Sequence, residues 1–120
     1  MAYTATHKYA RISPRKVRAL ADLVRGKFAD EALDILRFQP HRGARMLEKV
    51  IKSALGNAEH QQAPGVDELV VVDARIDGGP MFKRIRPRAR GMAFGIKRRM
   101  SHIKVSLDNV ASVADQAAGE

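Results

Sequence analysis

The basic segment at residues 78–107 most constrains what this chain can fold into. It contains nine Lys and Arg residues and no Asp or Glu, whereas the rest of the chain carries 13 of each sign, so the net charge of +9 originates here. Like charges at this density repel one another, and the apolar side chains scattered among them follow no core-forming pattern. We therefore expect most of the segment to protrude from the folded body.

Two short helices are predicted before residue 40. The first begins after Ser13, since serine suits the N-cap and Pro14 suits the first helical turn, and it ends at Gly26. The second covers about residues 29–37 and ends before Pro40, which cannot continue a helix.

A third and longer helix is predicted from about residue 41 to residue 61. Its apolar residues recur at a spacing of three and four, which indicates a face packed on the core. Gly56 lowers helix propensity there and indicates a close backbone approach. The predicted core stripe consists of Leu47, Val50, Ile51, Ala54, Leu55 and Ala58.

Strand patterns flank the basic segment. Residues 69–77 alternate, with one face predicted to carry Val70, Val72, Ala74 and Ile76, and residues 101–107 alternate between core and solvent positions. A weaker strand pattern lies at residues 4–12. The fold class is therefore α+β, with helices packed on a small antiparallel sheet and a long, protruding, basic β-hairpin.

One domain is expected at residues 1–110. We divide it into a body, about residues 1–78 and 101–110, and an arm, about residues 79–100. Residues 111–120 are small, polar and acidic, which predicts a disordered tail.

The charge pattern favours a polyanionic partner, because phosphates attract Lys and Arg and release counterions on binding. The sequence lacks cysteine, a secretory signal and a membrane-length apolar run, so we expect a cytoplasmic protein without a membrane partner. The four histidines are dispersed, and no phosphate loop or nucleophile motif occurs. We expect no enzyme activity, metal, cofactor or small-molecule substrate.

Two classes of nucleic-acid protein fit the arm. One is an RNA-binding protein whose arm is embedded in folded RNA, with aromatic Phe94 near a tip bracketed by Gly91 and Gly95. The other is an architectural DNA-bending protein with a basic β-arm in the minor groove. The first and third helices each add a basic stripe that suits either phosphate contact or ordinary solvation. These stripes contain Arg15, Arg18 and Arg25 on the first helix and Arg42, Arg45, Lys49 and Lys52 on the third.

Three motifs resemble a known family. These are "RISPRKVR" from Arg11, "KSALGNAEH" from Lys52, and "GPMFKRIRPRARG" followed by "KRRMSHI". Together they resemble large-subunit ribosomal protein twenty-two of the bacterial type over about residues 5–107. The resemblance implies three helices on a three-stranded antiparallel sheet, with the hairpin threaded between segments of large-subunit ribosomal RNA.

The resemblance also implies a place near the exit of the nascent-peptide tunnel, neighbouring ribosomal proteins, transient contact with the nascent chain, and a role in subunit assembly. Met92, Phe94, Gly95 and Met100 depart from the family pattern, and Met92 and Phe94 predict a more apolar tunnel contact. The implied tunnel tip consists of Gly91, Met92, Ala93, Phe94 and Gly95. The hairpin residues that the resemblance places against RNA are Lys83, Arg84, Arg86, Arg88, Arg90, Lys97, Arg98 and Arg99. We also predict RNA contacts from Arg11, Arg15, Lys16, Arg18 and His102 in the body.

Overall fold

The computed structural model describes residues 3–62, 65–87 and 89–109, without the side chains of Asp67, Phe94 and Asn109. The predicted tail at residues 111–120 lies outside the described residues. The elements follow the order β1 (Tyr3–Ala10), α1 (Pro14–Val24), α2 (Ala29–Arg37), α3 (Arg42–His60), β2 (Leu69–Pro87) and β3 (Ala93–Asn109). Short 3₁₀ turns occur at Val66–Glu68 and Ala89–Gly91. The α+β prediction is confirmed.

The helix N-termini differ from the prediction in one detail. Ser13 occupies the N-cap of α1 and Pro14 its first turn, as predicted, but the Ser13 side chain makes no capping hydrogen bond. His41, at the N-cap of α3, makes none either. Both helices therefore begin without a side-chain oxygen on their first amides, which retain a partial positive charge.

The three strands form one antiparallel sheet in the order β1-β3-β2. β3 is central, with Tyr3 of β1 paired to Leu107 and Val71 of β2 paired to the same residue. The long β2 and β3 strands continue past the body as the predicted hairpin, which is confirmed. The chain measures 64 Å along its longest axis against 30 and 23 Å along the others.

A β-bulge corrects the predicted core face of β2. The register shifts between Val71 and Asp73, so one extra residue enters the strand there and the alternation reverses. Val71 and Ala74 are fully buried while Val72 is only half-buried. The prediction that Val72 shares the core face with Ala74 was wrong, because strict alternation cannot anticipate the inserted residue. Val70 is buried, as predicted, but it lies outside the main core cluster.

The core lies between the helices and one face of the sheet. Its largest fully buried side chains include Leu47 and Ile51 of α3 and Ile103 and Leu107 of β3. Burial of each such side chain contributes about 1.5–3 kcal/mol through removal of apolar surface from water. α3 contacts α1, α2, β1 and β3, so this one helix connects every layer of the body.

The close helix approach predicted at Gly56 occurs at Gly43 instead. A Cβ at Gly56 would meet no atom within 4 Å. A Cβ at Gly43 would lie 3.1–3.3 Å from side-chain atoms of Ile12, Leu20 and Val17. The missing side chain at Gly43 thus lets the N-terminus of α3 approach α1 closely, and both helix N-termini face the same region.

One arginine of α1 and the arginine at its C-cap bind the outer edge of β2. Arg18 donates to the Ile76 carbonyl from Nε and Nη2 at 3.2 and 3.1 Å, and Arg25 donates to the Ala74 carbonyl from Nε at 3.0 Å. The linker after α1 adds a backbone bond from Gly26 to the Val71 carbonyl at 2.8 Å. These donors satisfy carbonyls that an edge strand would otherwise expose, so they also limit unwanted strand pairing.

Candidate nucleic-acid interface

The arm is a two-stranded ribbon whose described side chains are largely outside the core. Residues 81–87 are all exposed, and Ile85 retains 77% of its accessible surface. The ribbon begins beyond a register shift between Gly78 and Met81 and closes where Pro87 pairs with Ala93. These side chains do not pack in the core, so folding of the body does not account for their residue types. Because they are exposed, they are available to contact a partner.

The ribbon carries cations on both of its faces. Directly paired residues point to the same side, and successive residues alternate. Lys83 pairs with Lys97 and Met81 with Arg99, which places Lys83, Lys97 and Arg99 on one face. Phe82 pairs with Arg98 and Arg84 with Ile96, which places Arg84, Arg86 and Arg98 on the other. Among the described strand residues of the arm, each face therefore presents three positive charges.

No carboxylate within the described residues neutralises these cations. The ion pairs found there join Arg25 to Asp22, Arg37 to Asp34, Arg45 to Glu48 and Arg75 to Asp73, and all of them lie on the body. The positive electrostatic potential of these arm side chains is therefore not reduced by ion pairs. It attracts polyanions, and salt screens it.

The turn of the hairpin is earlier than the predicted tip. The 3₁₀ turn Ala89–Gly91 contains two left-handed residues, Arg90 at φ 65° and Gly91 at φ 71°. Of the predicted tip residues, Gly91 ends this turn and Met92 follows it directly. Ala93, Phe94 and Gly95 instead begin β3 and pair with β2. Arg88 and the Phe94 side chain lie outside the described part of the chain.

His102 is held at the root of the arm. Its Nδ1 accepts a hydrogen bond from the Tyr9 amide at 3.1 Å, and the two rings meet edge to face with centroids 5.0 Å apart. Because Nδ1 accepts, the ring proton is on Nε2, which is left to donate to a partner. Gly79 lies beside this ring, and a Cβ there would come within 3.3 Å of the Met100 carbonyl group.

A cleft of about 1160 Å³ lies between the root of the arm and the N-termini of α1 and α3. It brings together predicted residues that are distant in sequence, since Arg11 and Lys16 face the arm cations across it. Arg15, Arg18, Arg86, Arg90 and His102 do not line it. None of the acidic residues in the described part of the chain lines it either. The cationic side chains described at its wall are Arg11, Lys16, Arg42, Arg84, Lys97, Arg98 and Arg99.

Arg42 and Phe82 line the cleft but were not among the predicted RNA-binding residues. Arg42 was placed only in a helix stripe, although its position just after Pro40 at the start of α3 was a usable signal. Phe82 was treated as one of several scattered apolar residues. The centroid of its ring lies 5.2 Å from the guanidinium carbon of Arg84, which is a cation–π contact. The two residues are two positions apart on one strand, and this spacing in the sequence was a usable signal for the contact.

Arg45 acts within the fold. Its Nη2 donates to the carbonyls of Leu36, Arg37 and Gln39 at 3.0, 2.9 and 2.6 Å, where α2 ends. A guanidinium suits this position because the last carbonyls of a helix lack intrahelical donors and carry partial negative charge.

Replacing Arg45 with Gln is expected to lower the free energy of unfolding by about 1–2 kcal/mol, since hydrogen bonds to a charged donor are lost. Urea denaturation monitored by circular dichroism measures this change. Lys52→Gln, which removes an exposed charge from the same helix, serves as the control and should change stability by less than about 0.5 kcal/mol. Equal effects of the two variants would show that Arg45 does not cap α2.

The described residues contain no metal-ligand cluster of three or more His, Cys, Asp or Glu side chains. None of the described helices combines the length and apolar character that a membrane crossing demands.

Comparison with known proteins identifies close relatives. The family described as Ribosomal protein L22p/L17e matches residues 5–108. The chain is 65% identical to the large ribosomal subunit protein uL22 of Rhodopirellula baltica, with 92% of this chain and 98% of that protein covered. It is 57% identical to the protein of the same name from Caldicellulosiruptor saccharolyticus, with 87% and 85% covered. The corresponding Desulfotalea psychrophila protein is 56% identical, with 87% and 94% covered.

Proposed function

The chain belongs to the L22p/L17e family of ribosomal proteins, and from this we propose that it is a structural constituent of the large ribosomal subunit. It binds large-subunit ribosomal RNA and contacts neighbouring ribosomal proteins in the cytoplasmic ribosome. Its action is non-catalytic: it holds RNA segments in place during and after assembly. The DNA-bending alternative receives no support from relatives that carry ribosomal names.

The distribution of charge on the arm carries this proposal. An arm that lay on the surface of one RNA helix would need cations on one face only. Here the described strand residues place three cations on each face, and residues 81–87 bury no part of the core. A ribbon charged on both faces suits insertion between two RNA segments, where it neutralises phosphates on either side. Such neutralisation releases condensed counterions and joins segments that would otherwise repel.

The arm also suits folding upon binding. Uncompensated like charges destabilise a free ribbon at low salt, and bound phosphates remove that repulsion. Basic segments that order on RNA are a common solution in RNA-binding proteins. We infer that the ribbon acquires its full rigidity in the assembled subunit.

The end of the arm is proposed to contribute to the wall of the nascent-peptide tunnel. The turn Ala89–Gly91 and the adjacent Met92 lie at the closed end of the hairpin, and Met92 is 59% exposed. An exposed thioether side chain offers an adaptable apolar contact to a passing peptide. Arg90, held in the left-handed region, adds one positive charge beside it.

Cosedimentation tests the proposed function. A tagged full-length chain is expected to remain with the large subunit through a high-salt wash, because an embedded arm cannot exchange freely, and to be absent from the small-subunit fraction. A chain lacking residues 81–99 should be retained at less than about a tenth of the wild-type level. Absence of the wild-type chain from the large subunit would contradict the proposal.

A further inference from the structure

We propose that the cleft between the arm and the helix N-termini seats an unstacked, single-stranded RNA segment, with a nucleobase placed on Phe82. The inference rests on the proposed function, because that function makes RNA the partner. It goes further by specifying that the cleft binds single-stranded RNA in preference to a duplex. A double helix and a single strand share phosphates but differ in whether base faces are accessible. The cleft has features for both phosphates and base faces.

The rim of the cleft suits phosphate groups. Lys16 lies in the first turn of α1, and Arg42 begins α3. The arm lines the cleft from both of its faces, with Lys97 and Arg99 on one face and Phe82, Arg84 and Arg98 on the other. The helices add positive partial charge, because neither has a side-chain cap on its first amides. Phosphates of one strand that crosses the cleft would meet donors from both walls.

The floor of the cleft suits a base rather than another phosphate. The apolar side chains that line the cleft are Ile12, Ala19, Leu20 and Met100, and we call this apolar part of the lining its floor. Contact with apolar side chains does not stabilise the charged phosphate backbone. The face of an unstacked base is stabilised there, because the contact removes its apolar surface from water. In a duplex the base faces are already stacked on each other, so only phosphate and sugar would reach the floor.

Phe82 and Arg84 supply the stacking surface. They occupy the same face of β2, and the guanidinium carbon lies 5.2 Å from the ring centroid. The Phe82 side chain remains exposed although it lines the cleft. Aromatic rings and planar guanidinium groups both stack on bases without sequence preference, so this pair defines where the base lies.

The test compares two RNA probes with the full-length protein by fluorescence anisotropy. The probes are a ten-nucleotide oligouridylate and a ten-base-pair RNA duplex, each at a fixed salt concentration. Phe82→Ala is expected to weaken oligouridylate binding roughly fivefold to a hundredfold, the range for loss of one base-stacking ring. Duplex binding should change less than about twofold, because phosphate contacts do not involve the ring.

Ile85→Ala is the matched control, because Ile85 is an exposed apolar residue of the same strand that does not line the cleft. It should leave both affinities unchanged, and Phe82→Trp should preserve oligouridylate binding by restoring a stacking ring. Equal losses in the Phe82→Ala and Ile85→Ala proteins, or equal losses on both probes, would overturn the inference while leaving RNA binding in place. Failure of the wild-type chain to bind either RNA would instead overturn the proposed function.

Discussion

Neutralising the arm is expected to weaken binding to a large-subunit ribosomal RNA transcript roughly a thousandfold or more at about 0.1 M salt. Six phosphate contacts account for a loss of this size through counterion release alone. The slope of log affinity against log salt should become shallower by about 4–5, since each lost contact removes about 0.7–0.9. Filter binding across a salt series measures both quantities. The variant replaces with Gln the described strand cations of the arm, Lys83, Arg84, Arg86, Lys97, Arg98 and Arg99.

The folded body should survive this change. Residues 81–87 are exposed and contribute no side chain to the core, and removal of like charges relieves repulsion in the free arm. Thermal unfolding should therefore begin no lower than in the wild-type protein. A lower unfolding temperature would mean that the arm supports the body, and the affinity loss could then no longer be assigned to phosphate contacts.

A charge-matched control distinguishes the arm from general basicity. It removes six cations from the body and should reduce affinity far less, because those charges do not occupy the ribbon. An equal loss of affinity and of salt slope in this control would show that net charge, and not the arm, determines binding. The six body residues replaced with Gln are Lys8, Lys27, Arg37, Lys49, Lys52 and Arg75.

Periodicity predicted the helices and the hairpin because each of these depends on local sequence. α2 covers the predicted residues 29–37, and Ile103, Val105 and Leu107 face the core as alternation requires. The bulge after Val71 was not predictable in this way, because it depends on pairing with β3. Nor was the role of Gly43, whose close neighbours Ile12 and Leu20 precede it by a whole helix.

The sequence predicted the cationic residues of the candidate site, but it did not predict the cleft that brings them together. A run of cations is visible in the sequence, but whether a given arginine faces solvent or its own fold depends on tertiary structure. Arg18 and Arg45 share helix stripes with Arg15 and Lys49, yet their guanidinium groups bind backbone carbonyls of β2 and α2. The cleft forms only when α1, α3 and the arm are assembled, so its apolar floor had no local signature.

Leu47→Ala is expected to lower the free energy of unfolding by about 2–5 kcal/mol. Leu47 is fully buried on α3, the helix that contacts both other helices and two strands, so truncation leaves a cavity that its neighbours fill only in part. The loss is a large share of the roughly 5–15 kcal/mol that stabilises a small domain. Urea denaturation of the free protein measures it.

Leu55→Ala provides the comparison on the same helix. Because Leu55 is only partly buried, this substitution should lower the free energy of unfolding by less than Leu47→Ala does. A Leu47 variant no less stable than the Leu55 variant would contradict the assigned centre of the core.

The Leu47 variant should also distinguish the contribution of the body to folding stability from the contribution of the arm to RNA affinity. RNA binds the folded state, so RNA at a hundred times its dissociation constant adds about 2.7 kcal/mol of stability and offsets much of the loss. Once folded, the variant keeps every arm cation, and its salt slope should equal that of the wild-type protein. A shallower slope would show that core packing positions the arm on RNA. An unchanged slope would mean that the body contributes stability and the arm contributes affinity, each through its own residues.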